Sequence, residues 1–196
     1  MKKFKLAAIL IVLFCGTSLY AKDFEWSECW CNYGGGIEQG DWIINASSGL
    51  FFNDLKYANH DGFWFIPPVM LEVQYAQPIW KLPFTFGAYA GLRAYGYDYK
   101  IKEDGETVKK STSCWVIFTG AEAAYHIMLP PEGLDLYAVS RLGLFIPVVE
   151  PHGGWGFSDW VDAGSAIGAN WFFGDLIGVN LELGYPFSKI GVTLKF

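Results

Sequence analysis

The C-terminal stretch Leu176–Phe196 separates into two faces when its residues are taken alternately. One parity holds Ile177, Val179, Leu181, Leu183, Ile190, Val192, Leu194 and Phe196. The other holds Gly178, Asn180, Glu182, Gly184, Lys189, Gly191, Thr193 and Lys195. Successive side chains of an extended strand point to opposite sides of a sheet, so this alternation predicts two strands. Tyr185-Pro186-Phe187-Ser188 supplies the turn between them. The same rhythm predicts six strands upstream, at 41–52, 63–75, 84–97, 114–125, 136–146 and 160–171. Pro67-Pro68 interrupts the second, because proline cannot donate to a ladder; that strand begins at Val69 or bulges at the prolines.

The connections alternate in character. Segments 53–62, 100–112 and 150–159 read as long loops, polar or glycine-rich, whereas 77–83, 127–133 and 172–175 are shorter. The final turn at 185–188 is the one short connection on the long-loop side.

Charge placement sharpens the picture. Glu72, Arg93, Glu122, Arg141, Asp162, Glu182 and Lys195 all fall on the less apolar parity, and the opposite parity of the eight segments carries no charge. A solvated sheet face would be rich in Lys, Glu, Ser and Thr. Here the polar parity holds about one charge per strand among Gly, Tyr and Asn. Facing a narrow interior, four carboxylates and three cations can pair, which is what makes buried charge tolerable. A basic side chain near the middle of a lipid-facing wall would cost about 2–4 kcal/mol, which accounts for the clean apolar parity. The pattern therefore predicts an all-β, eight-stranded antiparallel up-and-down transmembrane β-barrel over residues 41–196. Composition agrees: aromatic residues make up 18% of the 196-residue chain and charged residues 17%. No stretch after the leader reaches the roughly 20 apolar residues of a spanning helix. A formal net charge of −6 argues against a nucleic-acid partner.

Lys2, Lys3 and Lys5, the apolar run 6–14 and the small-residue exit at 16–21 form an export signal, with cleavage expected after Ala21. Lipidation at Cys15 is the competing reading, and Phe14 stands where it would need a small residue. Residues 22–40 are aperiodic and read as a periplasmic N-terminal segment, either a tail or a plug, with Gly34-Gly35-Gly36 as a hinge. Cys29, Cys31 and Cys114 are left after cleavage, an odd number. The strand order sets Cys114 at the opposite rim from the other two, so no bridge between them is expected.

Together the leader, the strand rhythm, the loop asymmetry and the ending Gly191-Val192-Thr193-Leu194-Lys195-Phe196 resemble the eight-stranded outer-membrane barrels of the OmpX, OmpA-transmembrane and OmpW type. The resemblance implies residence in the outer membrane of a diderm bacterium, with the N-terminus periplasmic and outer-membrane lipid around the wall. It also implies that Phe196 ends a signal read by the barrel-assembly machinery. Aromatic-rich 22–40 and the less regular fourth strand depart from the family pattern.

Several candidate sites follow. The seven inner charges are either a static network filling the lumen or a gate, with Arg93 and Arg141 exchanging carboxylate partners. Eight strands leave an interior just wide enough for side chains, which favours the static form and argues against a wide pore. Trp80, Trp115, Trp155, Trp160 and Trp171, with Tyr75 and Tyr125, lie near strand ends and read as interfacial aromatics. The loop around Trp155 and Phe157 is an alternative site for an apolar or surface ligand. His60, His126 and His152 fall in separate connections, without metal-ligand spacing, so no metal and no cofactor is expected. His126 has no Ser and Asp/Glu arrangement nearby in sequence that would make a nucleophile and base. The expectation is a non-enzymatic protein, a narrow conduit for small solutes, apolar ones included, or a surface and structural element. Two alternatives stand beside it: a soluble exported β-barrel or sandwich binding an apolar ligand, and a lipid-modifying barrel enzyme.

Overall fold

The computed structural model describes residues 36–52, 58–80, 82–103, 105–129, 133–149 and 160–196. The export signal, Cys29, Cys31, His152, Trp155 and Phe157 lie outside them. Eight strands follow in chain order: β1 (Trp42–Phe52), β2 (Trp64–Ala76), β3 (Phe84–Glu103), β4 (Glu106–Met128), β5 (Leu134–Val149), β6 (Val161–Phe172), β7 (Ile177–Tyr185) and β8 (Phe187–Lys195). Each pairs antiparallel with its successor, and β8 closes on β1, so the sheet is an up-and-down barrel without a free edge.

Closure lets the two parities face different surroundings. Ile177, Val179, Leu181 and Leu183 on β7, and Ile190 and Val192 on β8, are exposed on the outside of the wall. Asn180, Glu182, Lys189 and Thr193 on the same two strands are buried inside. The pattern repeats around the barrel, with Leu71 52% and Ile167 66% exposed while Glu72 and Lys189 are at 0%. Strand β2 runs through its prolines by bulging, and the register with β3 shifts between Ile66 and Val69. The bulge moves the outward parity from Trp64 and Ile66 to Val69 and Leu71.

At one end of the barrel, here the lower end, lie the start of β1, the end of β8 and the links between β2 and β3, β4 and β5, and β6 and β7. Trp42 and Phe196 exchange backbone hydrogen bonds of 2.9 Å there. Residues 36–41 fold across this end: Gly40 N donates to the Ala76 carbonyl at 2.9 Å, and Ile37 inserts among Ile43, Ala76 and Phe172.

At the other end the structure departs from the sequence reading. Segment 100–112, expected to be a long loop, is strand: β3 and β4 stay paired from Tyr97↔Thr112 out to Glu103↔Glu106. Beyond Trp64↔Gly96 on one side and Trp115↔Val149 on the other, no strand among the described residues flanks this hairpin. It stands about 20 Å past the wall at roughly 3.3 Å per residue. Both of its faces meet solvent at Lys100, Lys102, Glu103 and Lys109, so no apolar alternation marked it as strand. The turn falls at Gly105, whose φ of 86° suits the primed turns that close tight hairpins.

Candidate functional site

Buried side chains succeed one another along the interior, and its middle is a cluster of ionisable side chains. Arg141 projects inward from β5 beside its cross-strand neighbour Glu122, and Lys189 from β8 beside its cross-strand neighbour Glu182. Glu72 reaches over from β2 to join the two pairs. Arg141 Nε donates to Glu122 Oε2 at 2.9 Å, Nη1 to Glu182 Oε1 at 2.5 Å, and Nη2 to Glu72 Oε1 at 2.5 Å and Glu182 Oε2 at 2.8 Å. Lys189 donates to Glu72 and lies 3.4 Å from Glu182. All five side chains are buried. An arginine fork that meets three carboxylates spends its donors on charge-assisted bonds, the strongest available to it.

Neutral groups carry the network downwards. Tyr137 Oη donates to Glu182 at 3.0 Å and accepts from Asn180 Nδ2 at 2.7 Å, and Asn180 also donates to Asn170 Oδ1 at 2.7 Å. The Tyr137 ring lies over Gly168, where a Cβ would collide with it, so glycine on the inner parity makes room for a ring. Gln74 Nε2 donates to Glu122 at 2.8 Å, and Thr85 Oγ1 donates to Gln74 Oε1 at 2.9 Å. Thr85 is 2.9 Å from His126 Nε2, and His126 Nδ1 is 2.9 Å from Asp135 Oδ2.

Above the cluster the filling turns aromatic. Met70, Tyr89, Phe118 and Phe187 pack together, with Phe145 against them. Tyr89 Oη donates to Asp162 Oδ2 at 2.7 Å. Higher still, Tyr95, Cys114 and Val116 are buried beneath Phe63 and Tyr97.

Of the seven charges singled out in the sequence, Glu72, Glu122, Arg141 and Glu182 meet directly. Asp162 lies one layer up, on Tyr89. Arg93 sits with its guanidinium 4.8 Å from the centre of the Phe145 ring, outside the Arg141 cluster. Lys195 is at the lower end, over Phe172 and donating to the Gly36 carbonyl.

Lys189, on the same polar parity but not among the seven, completes the cluster with Glu72 and Glu182. His126 was placed in a connection, and the structure corrects this: it belongs to β4 and is buried on the inner face with Asp135 and Thr85. The apolar alternation ends these strands at Tyr125 and Leu136. Carrying the alternation one residue past each would have put His126 on the parity of Glu122, and Asp135 on that of Arg141.

The aromatic residues expected near strand ends lie, among the described residues, towards the two ends of the barrel. Trp42 contacts Tyr75 at 5.1 Å, Phe84 contacts Tyr125 at 5.4 Å, and Trp171 contacts Phe173 at 5.5 Å, with Phe196 exposed beside them. Trp80 lies in the lower link between β2 and β3. Trp115 meets Trp64 at 6.2 Å near the upper end, where Trp160 and Tyr185 are also exposed.

No described group of three or more His, Cys, Asp or Glu side chains has the arrangement of a metal site. Set against protein-family models, curated proteins and solved structures, the chain matches none.

Proposed function

We propose that this chain is a non-enzymatic integral outer-membrane β-barrel with a sealed lumen, serving as a surface and structural element of the envelope. The inverted polarity of the wall carries the reading: aliphatic side chains on the outside, and Glu72, Glu182 and Lys189 almost fully buried inside. In water the outer face would expose a continuous apolar belt far larger than monomeric proteins tolerate. In a bilayer the same belt meets hydrocarbon, and a closed barrel leaves no backbone polar group of its sheet unpaired.

The aromatic residues support this by their spacing. Trp64 and Tyr75 stand eleven residues apart on the outside of β2. At about 3.3 Å per residue and a strand tilt of about 40°, the two levels are about 25–28 Å apart, matching an apolar band of about 25 Å. The short links, the start of β1 and the end of β8 would then lie on the periplasmic side, with the β3–β4 hairpin outside the cell. Phe196 ends the strand that the assembly machinery would read.

A sealed lumen is favoured over a conduit because a water-filled bore would leave its lining accessible, and the Arg141 cluster is not. The soluble apolar-ligand alternative needs an apolar interior, and this interior is ionic at its centre.

Extraction tests the proposal. The native protein should stay with membranes through alkaline washing, enter solution only with detergent, and migrate differently on gels before and after boiling. In planar bilayers the purified barrel should give no steady open-pore current. Release into buffer without detergent would end the membrane reading, and a steady large conductance would end the sealed-lumen reading alone.

A further inference from the structure

Thr85, His126 and Asp135 are connected in the order of a nucleophile, a base and the carboxylate that orients it. Where the Thr85 hydroxyl proton points decides whether they can act that way. We propose that Glu122, bonded to the Arg141 guanidinium, is ionised, and that a directed chain of hydrogen bonds from it holds a proton on both ring nitrogens of His126. Which solvent meets the outside of the barrel does not enter the argument.

The chain is read from Glu122. Its Oε2 accepts from Arg141, and its Oε1 lies 2.8 Å from Gln74 Nε2. A carboxylate only accepts, so Gln74 must turn its amide NH2 towards Glu122 and its carbonyl oxygen towards Thr85. That carbonyl also only accepts, so Thr85 gives it the one hydroxyl proton it has, across 2.9 Å. The Thr85 oxygen is then left to accept from His126 Nε2, which must carry a hydrogen.

At the opposite edge of the ring, Nδ1 is nearly equidistant from both Asp135 oxygens, at 3.0 and 2.9 Å. An N–H approaches the edge of a carboxylate in this way. Asp135 Oδ2 also accepts from Asn170 Nδ2 at 3.0 Å, and that amide is oriented because its own oxygen accepts from Asn180. Both imidazole nitrogens therefore donate, and His126 with Asp135 is a second buried ion pair below the Arg141 cluster. Thr85 has no proton to give the ring and is not a primed nucleophile.

The charged groups around this layer are few. Asp135 comes from β5, Glu122 acts through Gln74 of β2, and Glu182 of β7 acts through Tyr137 and Asn180. Lys195 of β8 is occupied at the lower end by the Gly36 carbonyl. Asp41 and Glu38 stand near Lys195 at that end. The arrangement makes the lower pair sensitive to the centre. A neutral amide in place of Glu122 can offer its NH2 to Gln74, which then turns over. Thr85 receives from Gln74, points its proton at Nε2, and the ring gives one proton up.

The test is nitrogen-15 NMR of the folded full-length protein at neutral pH. Replacing His60 and His152 with Gln leaves His126 as the sole histidine of three. Both ring nitrogens should show the protonated signature in this parent. Thr85→Ser should keep it, while Thr85→Val and Glu122→Gln should each show one bare nitrogen. Should Glu122→Gln fail to fold, as judged by amide dispersion, the Thr85→Ser and Thr85→Val pair carries the same contrast. A bare ring nitrogen in the parent, or a doubly protonated ring in Thr85→Val, would overturn the proposal.

Discussion

Two sets of ion pairs, one inside the barrel and one on the hairpin beyond it, use the same chemistry to different ends. Arg141 and Lys189 meet Glu72, Glu122 and Glu182 where water does not reach. Lys109 meets Asp98, and Lys110 meets Glu103, on a hairpin open to solvent. Inside, each charge has lost its hydration and depends on its partners, so removing one strands the rest. Outside, water replaces any partner that leaves, and salt screens what remains. Distance alone does not distinguish the sets, since Arg141–Glu122 and Lys109–Asp98 both measure 2.9 Å. Burial does.

The largest expected effect comes from breaking the inner set. Arg141→Ala leaves three buried carboxylates with Lys189 as their one nearby cation in the cluster, and should destabilise the barrel by about 3–5 kcal/mol. Equilibrium unfolding in urea would measure it. Arg141→Met combined with Glu122→Gln and Glu182→Gln should recover much of the loss, because charges removed together leave little uncompensated. If Arg141→Ala unfolds at the same urea concentration as the native protein, the cluster is not what holds the interior.

A charge moved one residue along β7 sharpens the comparison. Glu182 is 1% exposed and paired, whereas its neighbour Leu181 is 45% exposed on the outer face. With hydrocarbon outside, Leu181→Arg near mid-wall should cost about 2–4 kcal/mol. In a water-soluble barrel the same change would fall within about 0.5 kcal/mol. Refolding into lipid vesicles, followed by urea titration, separates the two. An unchanged midpoint would count against the membrane proposal while leaving the inner cluster untouched.

What could be read from the chain follows the same division. The barrel was legible because burial on one side only writes a period of two into the sequence, and β7 and β8 carry it without a break. The inner charges were legible as a parity but not as a network. The adjacency of Glu122 and Arg141, or Glu182 and Lys189, is a matter of register, and Glu72 joins them only once the sheet closes. His126 and Asp135 were lost because strand ends were set where the outer face stopped being apolar, although the inner face continued. The hairpin was lost for the converse reason: with water on both sides, Ile101, Lys102 and Glu103 have no parity to show. Only Asp104-Gly105, a dipeptide favoured in two-residue turns, marked it.

The smallest effect belongs to the hairpin, where the pairs should be visible in titration and silent in stability. Ser111 donates to Asp98 at 2.6 Å, and Lys109 pairs with it at 2.9 Å; together they hold its carboxyl below the usual carboxylate range. Asp98 in turn holds the Lys109 ammonium above the usual lysine range. For Asp98, the depressed value means that its contribution is complete above the ordinary carboxylate range and fades only as pH falls through its lower, folded value. For Lys109, the contribution is complete below the ordinary lysine range and fades as pH rises through its higher, folded value. Near neutrality both are in full force, yet Lys109 is exposed and Asp98 partly so, and the pair should be screened by salt. Carbon-13 titration of Asp98 should move upward in Ser111→Ala and in Lys109→Ala, while neither variant shifts the urea midpoint beyond scatter. A stability loss in Lys109→Ala approaching that of Arg141→Ala would mean that exposure does not separate the two sets.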